Sequence, residues 1–302
     1  MTLRYGCGEV ITAMVTPMDK TGAIDYDKVE ALTKHLISTG SDALLVAGTS
    51  GESPTLTNEE EIELVSTVKR AAANKAKIIL GAGSNSTESA IEYSKFAQKE
   101  EVDAILSVVP YYNKPNQRGI IEHFSAIAKS TTLPIILYNI PSRTGVMMEP
   151  KTVAYLASTF DNIVGVKQSC PDMDKVTEMR ILCPDDFSIY SGDDSLTLPM
   201  LSLGVRGVIS VASHLFGSEI KSMIRNFKTG EVVAARNMHK KLYPVFRALF
   251  MAPNPTPVKA ALAYKGIVDE YVRKPLVTLT EDEKIELFRV IDSVKKELSE
   301  ES

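Results

Sequence analysis

The chain has 302 residues, of which 44% are hydrophobic and 24% charged, enough to bury one large core or a domain with an appendage. A net charge of −4 argues against nucleic acid or an anionic membrane as partner, because either would call for a basic patch. No run approaches the roughly 20 apolar residues of a membrane span and residues 1–30 hold no signal-peptide core, so the expected location is cytoplasmic.

Short β-branched runs alternate with helical patterns from the N-terminus to about residue 210. Eight strands are predicted, near residues 10–16, 43–47, 78–81, 104–109, 135–138, 163–167, 188–191 and 207–211. Between the first two, Val29, Leu32, Leu36 and Ile37 fall on one helical face. Thr57-Asn58-Glu59-Glu60 reads as a capping box that opens the next helix. Eight βα units in a row match an α/β fold of the (β/α)8 TIM barrel type better than a doubly wound sheet, which usually has five or six strands. After residue 230 the strand signal stops. Pro253, Pro255 and Pro257 cannot sit inside one helix, and Thr280-Glu281-Asp282-Glu283 caps a last one. The expected division is a catalytic barrel over residues 1–230 and a C-terminal helical domain over 231–302, packed on the barrel or on a neighbouring subunit.

In such a barrel, chemistry sits at the carboxyl ends of strands and in the loops that follow. Lys167 closes the apolar run Ile163-Val164-Gly165-Val166-Lys167, whereas Lys77 precedes its strand and Lys259 lies in a helical segment. An amine held at a buried strand end is desolvated, which favours the neutral nucleophile that Schiff-base chemistry requires. Tyr138 ends the preceding strand and is the candidate proton shuttle. Its alternative role is a rim aromatic with its hydroxyl in water.

Gly48-Thr49-Ser50-Gly51-Glu52-Ser53 places hydroxyls between glycines, which suits either a small carboxylate or an ordinary capped turn. Arg143, in Ser142-Arg143-Thr144-Gly145, stands soon after Tyr138 and has the geometry to grip a carboxylate. Gly81-Ala82-Gly83-Ser84-Asn85-Ser86 lacks the third glycine of a dinucleotide loop. Cys7, Cys170 and Cys183 match no zinc spacing and read as free thiols, and His35, His123, His214 and His239 form no ligand cluster. Neither a metal nor a cofactor is expected.

Taken in order, Gly48-Thr49-Ser50-Gly51-Glu52, Pro110-Tyr111-Tyr112-Asn113, Tyr138-Asn139-Ile140-Pro141, Ser142-Arg143-Thr144-Gly145 and Val166-Lys167 resemble the pyruvate-dependent class I aldolase family. The match spans nearly the whole chain. It implies that Lys167 forms an imine with pyruvate, that Tyr138 moves protons, and that Thr49 and Tyr112 relay them, Tyr112 being donated across a subunit interface. Ser50 with Thr49, near the backbone of Ile209, would hold the pyruvate carboxylate, and Arg143 the carboxylate of L-aspartate 4-semialdehyde. The implied product is 4-hydroxy-tetrahydrodipicolinate, on the way to diaminopimelate and lysine, and the implied assembly is a homotetramer built as a dimer of dimers.

The chain departs from the family pattern in several places. Ser50 stands where threonine is usual, and Gln168-Ser169-Cys170 follows Lys167 where an acidic and a small residue are usual. Ser53, Asn85 and Tyr111 match an allosteric lysine pocket. Asn58, Glu61 and Ser89 replace its other groups, so weak or absent lysine feedback is expected. The competing readings are a sugar-acid aldolase of the same imine chemistry, which Arg143 disfavours, and a non-catalytic regulatory protein on the same fold.

Overall fold

The computed structural model describes residues 5–300. Eight strands, β1 (Val10–Ala13), β2 (Ala43–Val46), β3 (Lys77–Gly81), β4 (Ala104–Val108), β5 (Ile135–Asn139), β6 (Ile163–Gln168), β7 (Ser188–Ser191) and β8 (Gly207–Ser210), close in sequence order into one barrel. The expected (β/α)8 architecture is therefore the one the chain adopts, with strand ends within three residues of those predicted. β1 stops short of Thr16 because donors beyond Met14 turn to groups outside the ladder. The Val15 N–H turns to His214 Nε2 at 3.1 Å, and the Thr16 hydroxyl donates to Gly51 O at 2.7 Å. β5 and β6 each run one residue further than expected, with Asn139 and Gln168 as the added pair.

The chain forms two compact units. The first comprises residues 5–9 and Lys77–Ile209, in which β3 to β8 pair parallel in turn. These strands are almost wholly buried, as a parallel sheet covered on both faces requires. Lys77 lies at the amino end of β3, half exposed, and its Nζ pairs with Asp103 at 2.6 Å. A second Asp103 oxygen accepts from the Ile78 N–H at 2.8 Å, so this lysine ties two strand starts together.

The second unit comprises Val10–Ala76 and residues 210–300. β1 pairs parallel with β2, and helices Tyr26–Ser38, Asn58–Ala72, Ser213–Lys228, Val232–Ala248, Thr256–Tyr264 and Glu281–Ser299 complete it. Both predicted capping boxes form: Thr57 and Thr280 each accept from the N–H three residues on, and Glu60 and Glu283 reach back to the cap N–H. Burial pushes His214 down to about 4, so its ring is neutral. Its Nδ1 donates to Val211 O at 2.8 Å and its Nε2 accepts from the Val15 N–H, which joins β1 to the start of helix Ser213–Lys228. Tyr264 and Phe288 stack at 4.1 Å, packing helix Thr256–Tyr264 on the last helix. Among the described residues no helix is long and apolar enough to cross a membrane, and the three cysteines are buried and form no disulfide.

Candidate active site

Lys167 and Tyr138 face one another because of one irregularity in β6. Ile135 pairs with Ile163, but Ile136 pairs with Gly165, so Val164 is left out of register. This bulge advances β6 by one residue and sets Tyr138 opposite Lys167. Without it Tyr138 would oppose Val166, and side-chain alternation would turn Lys167 to the other face. Gly165 permits the bend, since a Cβ there would stand 2.6 Å from Ser188 O.

The result is a lysine 6% exposed whose Nζ lies 4.3 Å from the centroid of the Tyr138 ring. Lys167 pairs with Tyr190 on its other side, and the Tyr190 hydroxyl is occupied by Gly8 O at 3.2 Å. The contrast with the other buried lysine is informative. Lys259 is fully buried, but its Nζ donates to Glu52 Oε1 and to Tyr271 O, each at 2.6 Å. Lys167 pairs with no carboxylate among the described residues, so its amine is the one left available for a substrate.

Arg143 lies in a single helical turn, Pro141–Thr144, with its guanidinium exposed and without a partner among the described residues. The turn is anchored by Asn139, whose amide donates to Met148 O and accepts from the Met148 N–H, both at 3.0 Å. Tyr112 is 89% exposed in the left-handed region, φ 68°, so its ring packs against almost nothing within this chain. Asn113 next to it donates to Asn85 O and, through its backbone, to Tyr111 O, each at 2.8 Å, which connects two of the residues matched to the lysine pocket. Ile209 is buried in β8.

In the second unit, the loop after β2 is held by its own backbone. Gly51 and Ser53 N–H groups donate to Gly48 O, and Glu52 N–H to Thr49 O. The N–H groups of Thr49 and Ser50 donate to no group among the described residues. Ser50 is buried, and its hydroxyl oxygen accepts from Asn254 Nδ2 at 2.9 Å, which leaves its own proton free to donate. Glu52, in the left-handed region at φ 59°, is fixed by Lys259 and by the Arg273 N–H at 2.9 Å. Arg273 also clasps the Glu60 carboxylate and donates to Gly22 O and Thr55 O. Ser53 opens the single turn that follows.

A sequence model of the dihydrodipicolinate synthetase family matches residues 7–294. The chain belongs to this family. It is 50% identical over 286 residues to 4-hydroxy-tetrahydrodipicolinate synthase of Heliobacterium modesticaldum, covering 95% of each chain. It is 46% identical over 287 residues to the synthase of that name from Bacillus subtilis, covering 95% of this chain and 99% of the relative. Among solved structures, the 4-hydroxy-tetrahydrodipicolinate synthase of Methylacidiphilum fumariolicum superposes with a TM-score of 0.95 at 44% identity and 98% coverage of both chains. The lysine-bound enzyme of Cyanidioschyzon merolae gives 0.94 at 47% identity, covering 96% of this chain and 98% of its own.

Within this dihydrodipicolinate synthetase family member, reasoning from sequence missed several groups. The Lys259–Glu52 pair has no local signal in the sequence, since Glu52 sits in a glycine-rich motif and Lys259 in a helical segment. Asn254 sits between Pro253 and Pro255, and nothing in that run announces a partner for Ser50. Gly165, a lone glycine inside an apolar strand, is the signal that marks a bulge.

Proposed function

We propose that this chain condenses pyruvate with L-aspartate 4-semialdehyde to give 4-hydroxy-tetrahydrodipicolinate, in the route to diaminopimelate and lysine. The observation that carries the reading is the buried Lys167 amine, unpaired with any carboxylate among the described residues and set against the Tyr138 ring. Lys167 Nζ adds to the pyruvate ketone, the carbinolamine loses water, and the imine loses a methyl proton to Tyr138 to become an enamine. The enamine carbon bonds to the aldehyde carbon, and the carbonyl electron pair moves onto the oxygen, which takes a proton. The substrate amine then attacks the imine carbon and displaces Lys167, closing the ring.

Thr49 and a partner subunit's copy of Tyr112 relay protons in this reading. The N–H groups of Thr49 and Ser50, with the Ser50 hydroxyl, suit the pyruvate carboxylate near the backbone of Ile209, and the exposed Arg143 suits the semialdehyde carboxylate. The nearly bare Tyr112 supports a subunit contact, in keeping with a tetramer of paired dimers in the cytoplasm. Ser53, Asn85 and Tyr111 remain the candidates for lysine binding. The Cyanidioschyzon relative carries lysine, but with Ser89 and Glu61 in place of that pocket's usual groups we expect weak feedback here. Inhibition by micromolar lysine in a steady-state assay would overturn that expectation.

Borohydride trapping with pyruvate, followed by peptide mass spectrometry, tests the mechanism. The expected label is on Lys167, and a label on another lysine, or none, rejects it. A coupled assay offering aspartate semialdehyde or a sugar aldehyde as second substrate decides between this activity and a sugar-acid aldolase.

A further inference from the structure

Beside Lys167 lies a hydroxyl that the mechanism above does not use. Ser169 continues the β6 ladder beyond its end, its N–H donating to Asn139 O at 2.9 Å. Gly192 continues β7 in the same way, donating to Gln168 O at 2.8 Å. By two-residue alternation Ser169 shares the face of Lys167 and stands one step nearer the carboxyl-end mouth of the barrel. Its Oγ is buried and has no hydrogen-bond partner among the described residues. A Cβ built on Gly192 would meet that oxygen at 1.9 Å and Lys167 Cε at 3.0 Å. The hydroxyl thus occupies the place that a Cβ at 192 would take, beside the lysine stem, and it can sit there because residue 192 is glycine.

A buried hydroxyl left unpaired is destabilising, and such groups are uncommon unless a ligand or water completes them. We propose that Ser169 is a substrate-contacting residue that donates a hydrogen bond to the aldehyde oxygen of the second substrate. The inference rests on the imine reading. With pyruvate bonded to Lys167 Nζ, the acceptor enters from the mouth, and Ser169 is the polar side chain one step mouthward on the same strand. As the enamine forms the new C–C bond, the carbonyl pair moves onto the aldehyde oxygen. The developing alkoxide takes the proton that Tyr138 removed from the methyl group, while Ser169 keeps its own proton and stabilises the oxygen through its hydrogen bond. The donor belongs to the Gln168-Ser169-Cys170 run by which this chain departs from the family pattern after the lysine.

The test is Ser169→Ala, which removes one oxygen and adds nothing against Gly192. The variant is expected to trap pyruvate on Lys167 as the parent does, with an unchanged KM for pyruvate. Its kcat/KM for aspartate semialdehyde is expected to fall roughly tenfold to a hundredfold. Normal trapping with an unchanged kcat/KM for the aldehyde overturns the role of Ser169 alone. Loss of trapping in the variant also overturns it, by assigning Ser169 to the fold of the lysine's surroundings. Absence of a Lys167 label in the parent protein instead rejects the imine reading itself.

Discussion

Asn139 and Gln168 are register partners at the ends of β5 and β6, and their fully buried side chains meet at 3.0 Å, Asn139 Nδ2 donating to Gln168 Oε1. The same Asn139 amide makes both main-chain hydrogen bonds of Met148, so one side chain closes the segment 140–148 that carries Arg143. Asn139→Ala leaves that N–H and carbonyl unpaired in a buried place. Urea denaturation is expected to show a loss of about 2–4 kcal/mol, and the KM for the aldehyde substrate is expected to rise as Arg143 loses its anchor.

The β6 bulge makes a second expectation concrete. Gly165→Ala puts a Cβ 2.6 Å from Ser188 O, a backbone atom that cannot swing aside. The strain is expected to cost about 1–3 kcal/mol in chemical denaturation. Because the bulge sets the facing of Lys167, borohydride trapping is expected to slow far more than that stability loss explains. A variant that traps pyruvate at the parent rate would show that the lysine keeps its place without the glycine.

Lys259 and Glu52 form a buried pair, and burial pushes the Lys259 ammonium below the usual lysine range while Glu52 opposes the shift. Lys259→Met strands the carboxylate, with an expected loss of about 3–5 kcal/mol. The double variant Lys259→Met with Glu52→Gln removes both charges and is expected to recover part of it. A thermodynamic cycle from urea midpoints measures the coupling.

His214 makes stability depend on pH. Its folded value of about 4 lies below the ordinary 6.5, so the neutral ring is the form the fold prefers. That contribution is complete above pH 6.5 and is lost as pH falls toward 4, where protonation removes the acceptor for the Val15 N–H. The loss from this group is about 2 kcal/mol by pH 5. Buried His123, also pushed to about 4, adds a loss of the same sign. His214→Gln, unfolded in urea at pH 7.5 and pH 5, is expected to show a smaller pH dependence than the parent.

The barrel was legible because each strand is a short apolar run and each helix carries a periodic face or a cap, features that depend only on neighbours in sequence. Lys167 and Tyr138 were legible for the same reason, as the last residues of consecutive strands. Their facing was not, because it depends on Val164 being skipped, and pairing register is a property of two strands together. The partners of Ser50 and Glu52 were illegible for a related reason. Asn254 and Lys259 reach them across more than 200 residues, and nothing near either end announces the other.

That separation has a consequence for how the chain matures during synthesis. Glu52 and Lys259 are 207 positions apart, so at about 5–20 residues per second the carboxylate waits roughly 10–40 seconds for its amine. Over that interval β1 and β2 have been made, yet Glu52 has no buried cation to meet and must stay hydrated. The turn bearing Thr49 and Ser50 can close its own backbone hydrogen bonds early, but its Glu52 side chain is pinned only once Lys259 has been made. A ribosome halted before residue 259 holds a nascent chain whose Glu52 has yet to meet its cation.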